Sequence, residues 1–379
     1  MRLVTPTPRS ALALALAILA ACAAPDQVTA PRLTPGGASL AAGPKTVKVH
    51  RGQSIQAGVD AAGAGGTVQV DPGVYAESVV VSVPNLHLLG GSNGSGEVVI
   101  TNPGGANNGI HVTSAGDGFA LDNVTVRNFG KNGVFLIGVD GFHLSRVRTQ
   151  NNGEYGLFPL QTSNGLIENC TATGHDDTGI YIGQSSDVDI RTSAVWANVS
   201  GFEIENSVRV TLETSAAYDN VVGVLVSLVP GLPVMTASDN VVKNNLIHDN
   251  NRANFGDPED LAGLLPGGSG VIVVGPDRTT ITQNAITNNN STGVAVVSAD
   301  ILAALLGQDP AALFGDVDRN PDGTRVTLNV VLGNGTAPQP PIAGLFPGVD
   351  LLWDGTGTDN CWSQNLFRTS APSPLPACH

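Results

Sequence analysis

Positive charge is scarce in this sequence: 18 Lys and Arg stand against 32 Asp and Glu in 379 residues, a formal net charge of −14. A surface of that sign repels nucleic acid and anionic membranes. It leaves an anionic polysaccharide only a local basic patch or bridging cations to bind through. Charge of either sign is sparse as well, at 13%. Together with 47 glycines and recurring Val, Ile, Asn and Thr, this is the composition of strands and turns in one elongated unit rather than two compact domains. Long hydrophobic runs are missing apart from Ala11–Ala21, which is too short to span a bilayer as a mature helix. Behind Arg2 and Arg9 it reads as a signal peptide over residues 1–21. Its removal takes away two arginines and no acid and moves the net charge to −16.

What the sequence does have is a repeat. Gly followed by aliphatic, variable, aliphatic occurs at Gly109, Gly133, Gly156, Gly179, Gly201 and Gly223, with spacings of 24, 23, 23, 22 and 22. It returns at Gly270, Gly293 and Gly348, and the longer gaps hold insertions. Each unit carries two or three short strands, and a unit of about 22 residues cannot bury its own apolar face, so the units must stack. The expected fold is all-β: a single-stranded right-handed parallel β-helix solenoid over residues 45–379, with insert loops near 251–268 and 299–324. Alternation sends Ile110, Val112, Val134, Leu136, Ile180, Ile182, Phe202, Ile204, Val224 and Val226 inward as the core. Asn198, Asn220 and Asn290 share the position three before the Gly and read as a turn or interior ladder rather than as ligands. Ser54–Ala62 has helical spacing and precedes the first rung, as an N-terminal cap helix must, because an open solenoid end exposes core and unpaired backbone. This start and the rungs after it resemble the pectate-lyase-like β-helix superfamily.

The signal run ends Leu19-Ala20-Ala21-Cys22, which resembles the bacterial lipobox. That resemblance implies lipidation at Cys22, with residues 22–44 as a flexible tether to the folded domain and the membrane touched only through the lipid. A bacterial cell-envelope location follows, periplasmic or at the outer-membrane surface. Cys361 and Cys378 close a short loop in what is then an oxidising compartment, so a disulfide is expected, stabilising by roughly 3 kcal/mol. Cys170 is expected to be a buried core thiol.

Chemistry is looked for where side chains point outward from the first strand. The residue two after each Gly gives His111, Phe135, Phe158, Tyr181, Glu203 and Leu225 in successive rungs about 4.8 Å apart, close to the spacing of sugar units. Phe135, Tyr155, Phe158, Tyr181 and Glu203 are therefore candidate substrate-binding residues for a polysaccharide, and the alternative is that the stacked aromatics brace neighbouring strands or lie beneath a loop. The position two before each Gly gives Lys131, Glu154 and Asp177, with His175 and Asp176 adjoining and Glu205 nearby. Glu154, His175, Asp176 and Asp177 are the candidate catalytic residues, because acid–base chemistry needs two titratable groups facing one substrate atom.

Asp176-Asp177-Thr178-Gly179-Ile180 resembles the paired-aspartate strand of polygalacturonases, but Asn198-Val199-Ser200-Gly201-Phe202 stands where that family has its histidine motif. Tyr155-Gly156-Leu157-Phe158-Pro159-Leu160 resembles a segment of mannuronan C5-epimerases in which Phe158 and Leu160 replace the family's Asp and His. Pro159 cannot donate to a sheet ladder and implies a local distortion. The chain as a whole resembles bacterial parallel β-helix repeat lipoproteins, through Tyr155 to Gln184 and the ending Asp359-Asn360-Cys361-Trp362 to Cys378. That resemblance supplies no activity.

Asp316, Asp318, Asn320 and Asp322 place oxygens at every second position before Gly323, as calcium loops do, with an Asx-rich turn as the alternative. The inserts Asp257–Gly268 and Asp300–Phe314 contain short helical, strongly apolar stretches and are candidates for a lid or partner surface. The resulting expectation is a monomeric, exported lipoprotein that binds a polysaccharide along the first-strand face, with polysaccharide lyase and glycoside hydrolase as candidate reactions. The alternatives are a non-catalytic glycan binder and a structural or assembly protein, resembling the β-helix accessory proteins of metal-enzyme maturation.

Overall fold

The computed structural model describes residues 43–91, 96–341 and 345–379. The expected signal peptide, Cys22 and nearly all of the expected tether lie outside the described residues. The compact unit is Pro44–His379, wound as a right-handed parallel β-helix. Its strands form three parallel sheets of twelve, eleven and ten strands, one strand per sheet in each turn.

The eleven-stranded sheet contains the Gly motif, and its register shows what the motif does. Ile110, Val134, Leu157, Ile180, Phe202, Val224, Val271, Val294 and Leu351 are successive partners in one inward column. All are buried, as are the inward positions read from the sequence. At about 25 cal/mol per Å² the continuous core is the main stabilising term, as rung-on-rung stacking requires.

Beside the column runs a ladder of buried side-chain oxygens. Asn198, Asn220, Asn250, Asn289, Asn334 and Asp350 each accept the backbone N–H of the ladder residue one turn before, at 3.0–3.2 Å. Glycine is needed because these amides lie against it: a Cβ on Gly179 would sit 2.9 Å from Asn198 Nδ2, and one on Gly223 would sit 2.8 Å from Asn250 Nδ2.

Two positions of the repeat differ from the sequence reading. Asn289, not Asn290, enters the ladder, since the turn before Gly293 is one residue longer and Asn290 instead donates its N–H to Asn251 Oδ1. The partner of Gly293 in the last long rung is Asp350, not Gly348, because Thr292 pairs with Val349 and Val294 with Leu351. The gap of 47 residues after Gly223 holds two excursions rather than one, since residues 228–238 leave the solenoid as well as 251–268.

The cap helix is Ile55–Ala62, N-capped by Ser54, with Ile55, Val59 and Ala62 buried. Glu77 accepts from the N–H groups of Ile55 and Gln56, satisfying orphan donors of the first turn. A strand missed in the sequence, Thr46–Val49, precedes the helix and pairs with Thr67–Val70. At the other end Cys361 and Cys378 are bonded, with Cα atoms 4.7 Å apart. Cys170 is free and buried, and burial pushes its thiol up to about 12.

Asn289→Ala leaves buried donors and acceptors unpaired in the rungs on both sides and is expected to cost about 2 kcal/mol. Asn290→Ala is expected to stay within about 0.5 kcal/mol. Denaturant unfolding of the two variants checks the ladder assignment.

Candidate functional site

The outer face of the eleven-stranded sheet carries three parallel columns of side chains. The middle column runs Val80, His111, Phe135, Phe158, then on to Tyr181, Glu203, Leu225, Ile272, Ala295 and Leu352. Its aromatic part is a continuous stack: His111 on Phe135 with ring centroids 5.1 Å apart, Phe135 on Phe158 at 5.0 Å, and Phe158 edge-on to Tyr181 at 4.8 Å. Tyr155 adds a second layer, 4.3 Å from Phe158 and 5.1 Å from Tyr181. The strand Leu157–Leu160 meets Thr178–Gly183 only at its two ends, Leu157 with Ile180 and Leu160 with Gly183. This is the distortion expected at Pro159, whose missing N–H interrupts the ladder.

At the inner end of the stack three carboxyl groups come together. Thr178 Oγ1 lies 2.6 Å from Glu203 Oε2 and 3.0 Å from Asp177 Oδ1. Tyr181 donates its hydroxyl to Glu205, and Tyr155 donates to Asp177. Burial, followed by repulsion from Asp177 and Glu205, pushes Glu203 well above the usual carboxylate range. Glu205 is raised to about 7 and Asp177 to about 6, in both cases chiefly by burial, while the tyrosine hydrogen bonds oppose the shift. The Thr178 hydroxyl has a single proton. With Glu203 protonated and donating to Thr178, that proton goes to Asp177, which then accepts from both Thr178 and Tyr155. The arrangement keeps Asp177 as the ionised member and Glu203 as the neutral one. Both tyrosines are raised well above 10 by burial and neighbouring acids, so neither is poised to act as a base.

The remaining candidates fall into place around this cluster. Glu154 forms an ion pair with Lys131, Nζ to Oε1 2.7 Å, at the edge of the cluster, and its charge contributes to raising Asp177. Asp176 is exposed, and partial burial of its carboxyl raises it. His175 does not join the site. It is fully buried in the Asn ladder, accepts the Asn152 N–H on Nδ1 and has its own N–H bound to Asn198, and burial lowers it to about 4. The proposed metal loop is also an Asx turn. The Asn320 N–H donates to Asp318, Thr358 donates to Asp322, and among the described residues no three acidic, His or Cys groups gather as a metal site.

Two participants escaped the sequence reading. Thr178 occupies the position one before Gly179, outward by simple alternation, and was legible in principle. Asp260 was not: it comes from the insert and approaches closely enough to raise Asp177, which no spacing rule forecasts. The inserts cover the rest of this face. Ala262, Leu265, Ile301 and Leu302 pack on Leu225, Ile272 and Leu352, and the two inserts meet around an apolar cavity of about 60 Å³.

Comparison with known proteins bears on this architecture. The family model described as right handed beta helix region matches residues 108–229. No curated protein sequence matches the chain. Among solved structures it is similar to the A-module of a mannuronan C-5 epimerase from Azotobacter vinelandii, at 20% identity over 84% of this chain and 93% of that one, TM-score 0.57. An alginate lyase from Paenibacillus sp. matches at 13% identity over 84% and 98%, TM-score 0.54. A lacto-N-biosidase from Eubacterium ramulus matches at 10% identity over 81% and 63%, TM-score 0.51. The shared feature is the right-handed parallel β-helix.

The buried acids set a pH dependence. Each has a folded pKa above its unfolded value, so the stability it contributes is complete below about pH 4 and is lost as pH rises through the folded values of about 6 and 7. Glu203→Gln keeps a donor for Thr178 and removes a carboxyl that is held protonated in the fold but ionises on unfolding. It is expected to raise stability at pH 8 by roughly 1–3 kcal/mol while changing little at pH 4. Thermal unfolding of both proteins across that range checks the sign.

Proposed function

We propose that this protein is a glycoside hydrolase acting on a neutral or weakly charged glycan laid along the outer face of the eleven-stranded sheet. The observation that carries the reading is the Asp177, Glu203 and Glu205 cluster at the inner end of the aromatic stack, since hydrolysis of a glycosidic bond needs one protonated carboxyl and one carboxylate held in different environments. Asp177 and Glu205 are half-buried, whereas Glu203 is buried. Glu205, titrating near neutrality, donates its proton to the glycosidic oxygen as the carbon–oxygen bond breaks. Asp177 keeps its negative charge for the anomeric carbon, where positive charge develops as the bond breaks, and takes the proton released by the water that adds there. Glu203 acts through Thr178 as a positioning residue. The rings of His111, Phe135 and Phe158 stack on one another, so a glycan lies along their half-exposed edges at rung spacing.

Similar folds belong to an epimerase, a lyase and a biosidase, so the fold leaves the reaction to the site. Elimination or epimerisation of a uronate would call for a cation at the sugar carboxylate and a basic residue. Here Lys131, the cation at the cluster's edge, is already paired with Glu154, and the tyrosines are held neutral. Tethering to the bacterial cell envelope through Cys22 belongs to the same proposal, supported by the lipobox-like residues before it. Loss of the protein from the membrane fraction on Cys22→Ser is the expected outcome, and retention there contradicts it.

Incubation of the protein with a panel of neutral and acidic polysaccharides, scored by new reducing ends, tests the activity. Asp177→Asn and Glu205→Gln are each expected to lower kcat by about 10³-fold or more, and Glu203→Gln by about 10-fold or less. The pH optimum should lie between about 6 and 7, where Asp177 is ionised and Glu205 protonated. Phe135→Ala is expected to weaken glycan binding by about 10-fold with a smaller effect on kcat. Binding that survives with no reducing ends released would instead make the protein a glycan binder, and absence of both would favour a structural role.

A further inference from the structure

We infer that the site takes the end of a glycan chain and releases a unit of one or two sugar rings, so that an internal stretch of polymer does not fit it. This rests on the hydrolase reading and concerns where along the chain the cut is made.

The accessible face is open at one end only. Along the middle column exposure is 43% at Val80 and intermediate at His111, Phe135 and Phe158, and it falls to 5% at Tyr181 and 8% at Glu203. Beyond the acids it never recovers: Leu225 and Ile272 are 5% exposed, Ala295 4% and Leu352 3%. The cause is the apolar roof formed by the two inserts, whose Leu261, Leu264 and Leu302 line the cavity over Leu225 and Ile272. A glycan following the stack towards the acids therefore meets the covered part of the face at the Tyr181 and Glu203 rungs, beside the acids themselves, and the roof continues from there. One rung is about 4.8 Å, close to the length of a single sugar ring, which limits what can lie past the cut.

The wall is also chemically suited to a chain end. Asp260 precedes the insert's short 3-10 helix, Leu261–Leu264, and lies near Asp177, Glu154 and Lys131. A carboxylate there can accept hydrogen bonds from the free hydroxyls that only a terminal ring presents in that direction. A polymer continuing past the cut would have to place its next ring where Leu225 and the insert leucines are already packed.

The alternative route leads sideways off the sheet. A groove of about 480 Å³ lies at the corner where the strands end, lined by Gln161, Gln184, Val208, Arg209, Val234 and Thr236. A chain that turned into it could pass through the site and be cut internally. The two routes differ in product length, which is what the experiment reads.

The native protein is incubated with laminarin, cellulose, starch, xylan and galactan, and products are sized by mass spectrometry from the first per cent of conversion. The expected result on any polymer that is cut is one product class of one or two rings, constant with time, with viscosity falling only in proportion to mass released. Replacement of Asp257–Pro266 by a short Gly-Ser linker is expected to convert this to a ladder of mixed lengths. Mixed lengths from the native protein at the outset overturn this inference and leave the hydrolase reading standing. No product from any polymer overturns the hydrolase reading, and this inference with it.

Discussion

The close approach of a glycine backbone to a buried amide is the contact on which the rest of the molecule depends. In each regular turn the second residue of the long strand lacks a Cβ, and the ladder amide of the adjoining turn occupies that space. The amide in turn satisfies the N–H of the rung before it, so each rung is tied to the next by a side chain as well as by strand pairing. An unpaired buried amide costs as much as several ordinary contacts contribute, so the register between rungs is held strictly. Strict register makes outward side chains from different turns fall into straight columns. The aromatic stack and the acid cluster are consequences of that alignment, built from residues more than twenty positions apart in sequence.

The same alignment explains why the acids are perturbed. Each comes from a strand that must lie about 4.8 Å from its neighbours, so carboxyl groups in adjoining rungs cannot separate to relieve repulsion. The tyrosines over them and the insert beside them take away water. Burial and neighbouring charge then raise Asp177, Glu203 and Glu205 together, while the hydrogen bonds from Tyr155, Thr178 and Tyr181 spread their values apart. A site that costs folding free energy at neutral pH is a usual mark of function, since the same carboxyls replaced by amides would leave the rungs intact.

Much of this was legible in the sequence, and for a physical reason. Regular rungs of 22 to 24 residues make position in the repeat equivalent to position in space, so Phe135, Phe158, Tyr181 and Glu203 could be placed on one face by counting from a glycine. The same counting put Lys131, Glu154 and Asp177 side by side. It failed where the period breaks. One extra residue before Gly293 moved the ladder from Asn290 to Asn289, and the long excursion before Asp350 shifted the last rung by two. It failed for His175 as well, because a ring nitrogen can take the place of an amide oxygen in a buried ladder and the residue type alone does not show which way it points. Asp260 and the roof over Leu225 arise from inserts whose docking is set by tertiary packing, which no local spacing encodes.

The central claim is that the stacked rungs hold Asp177 and Glu205 in environments that separate a carboxylate from a proton donor near neutral pH. The direct measurement is a carbon-13 titration of the Asp and Glu side-chain carboxyls, with Asp177→Asn and Glu205→Gln used to assign the two signals. Midpoints near 6 for Asp177 and near 7 for Glu205 are the predicted result. Both groups titrating near 4, as exposed carboxyls do, would contradict the account.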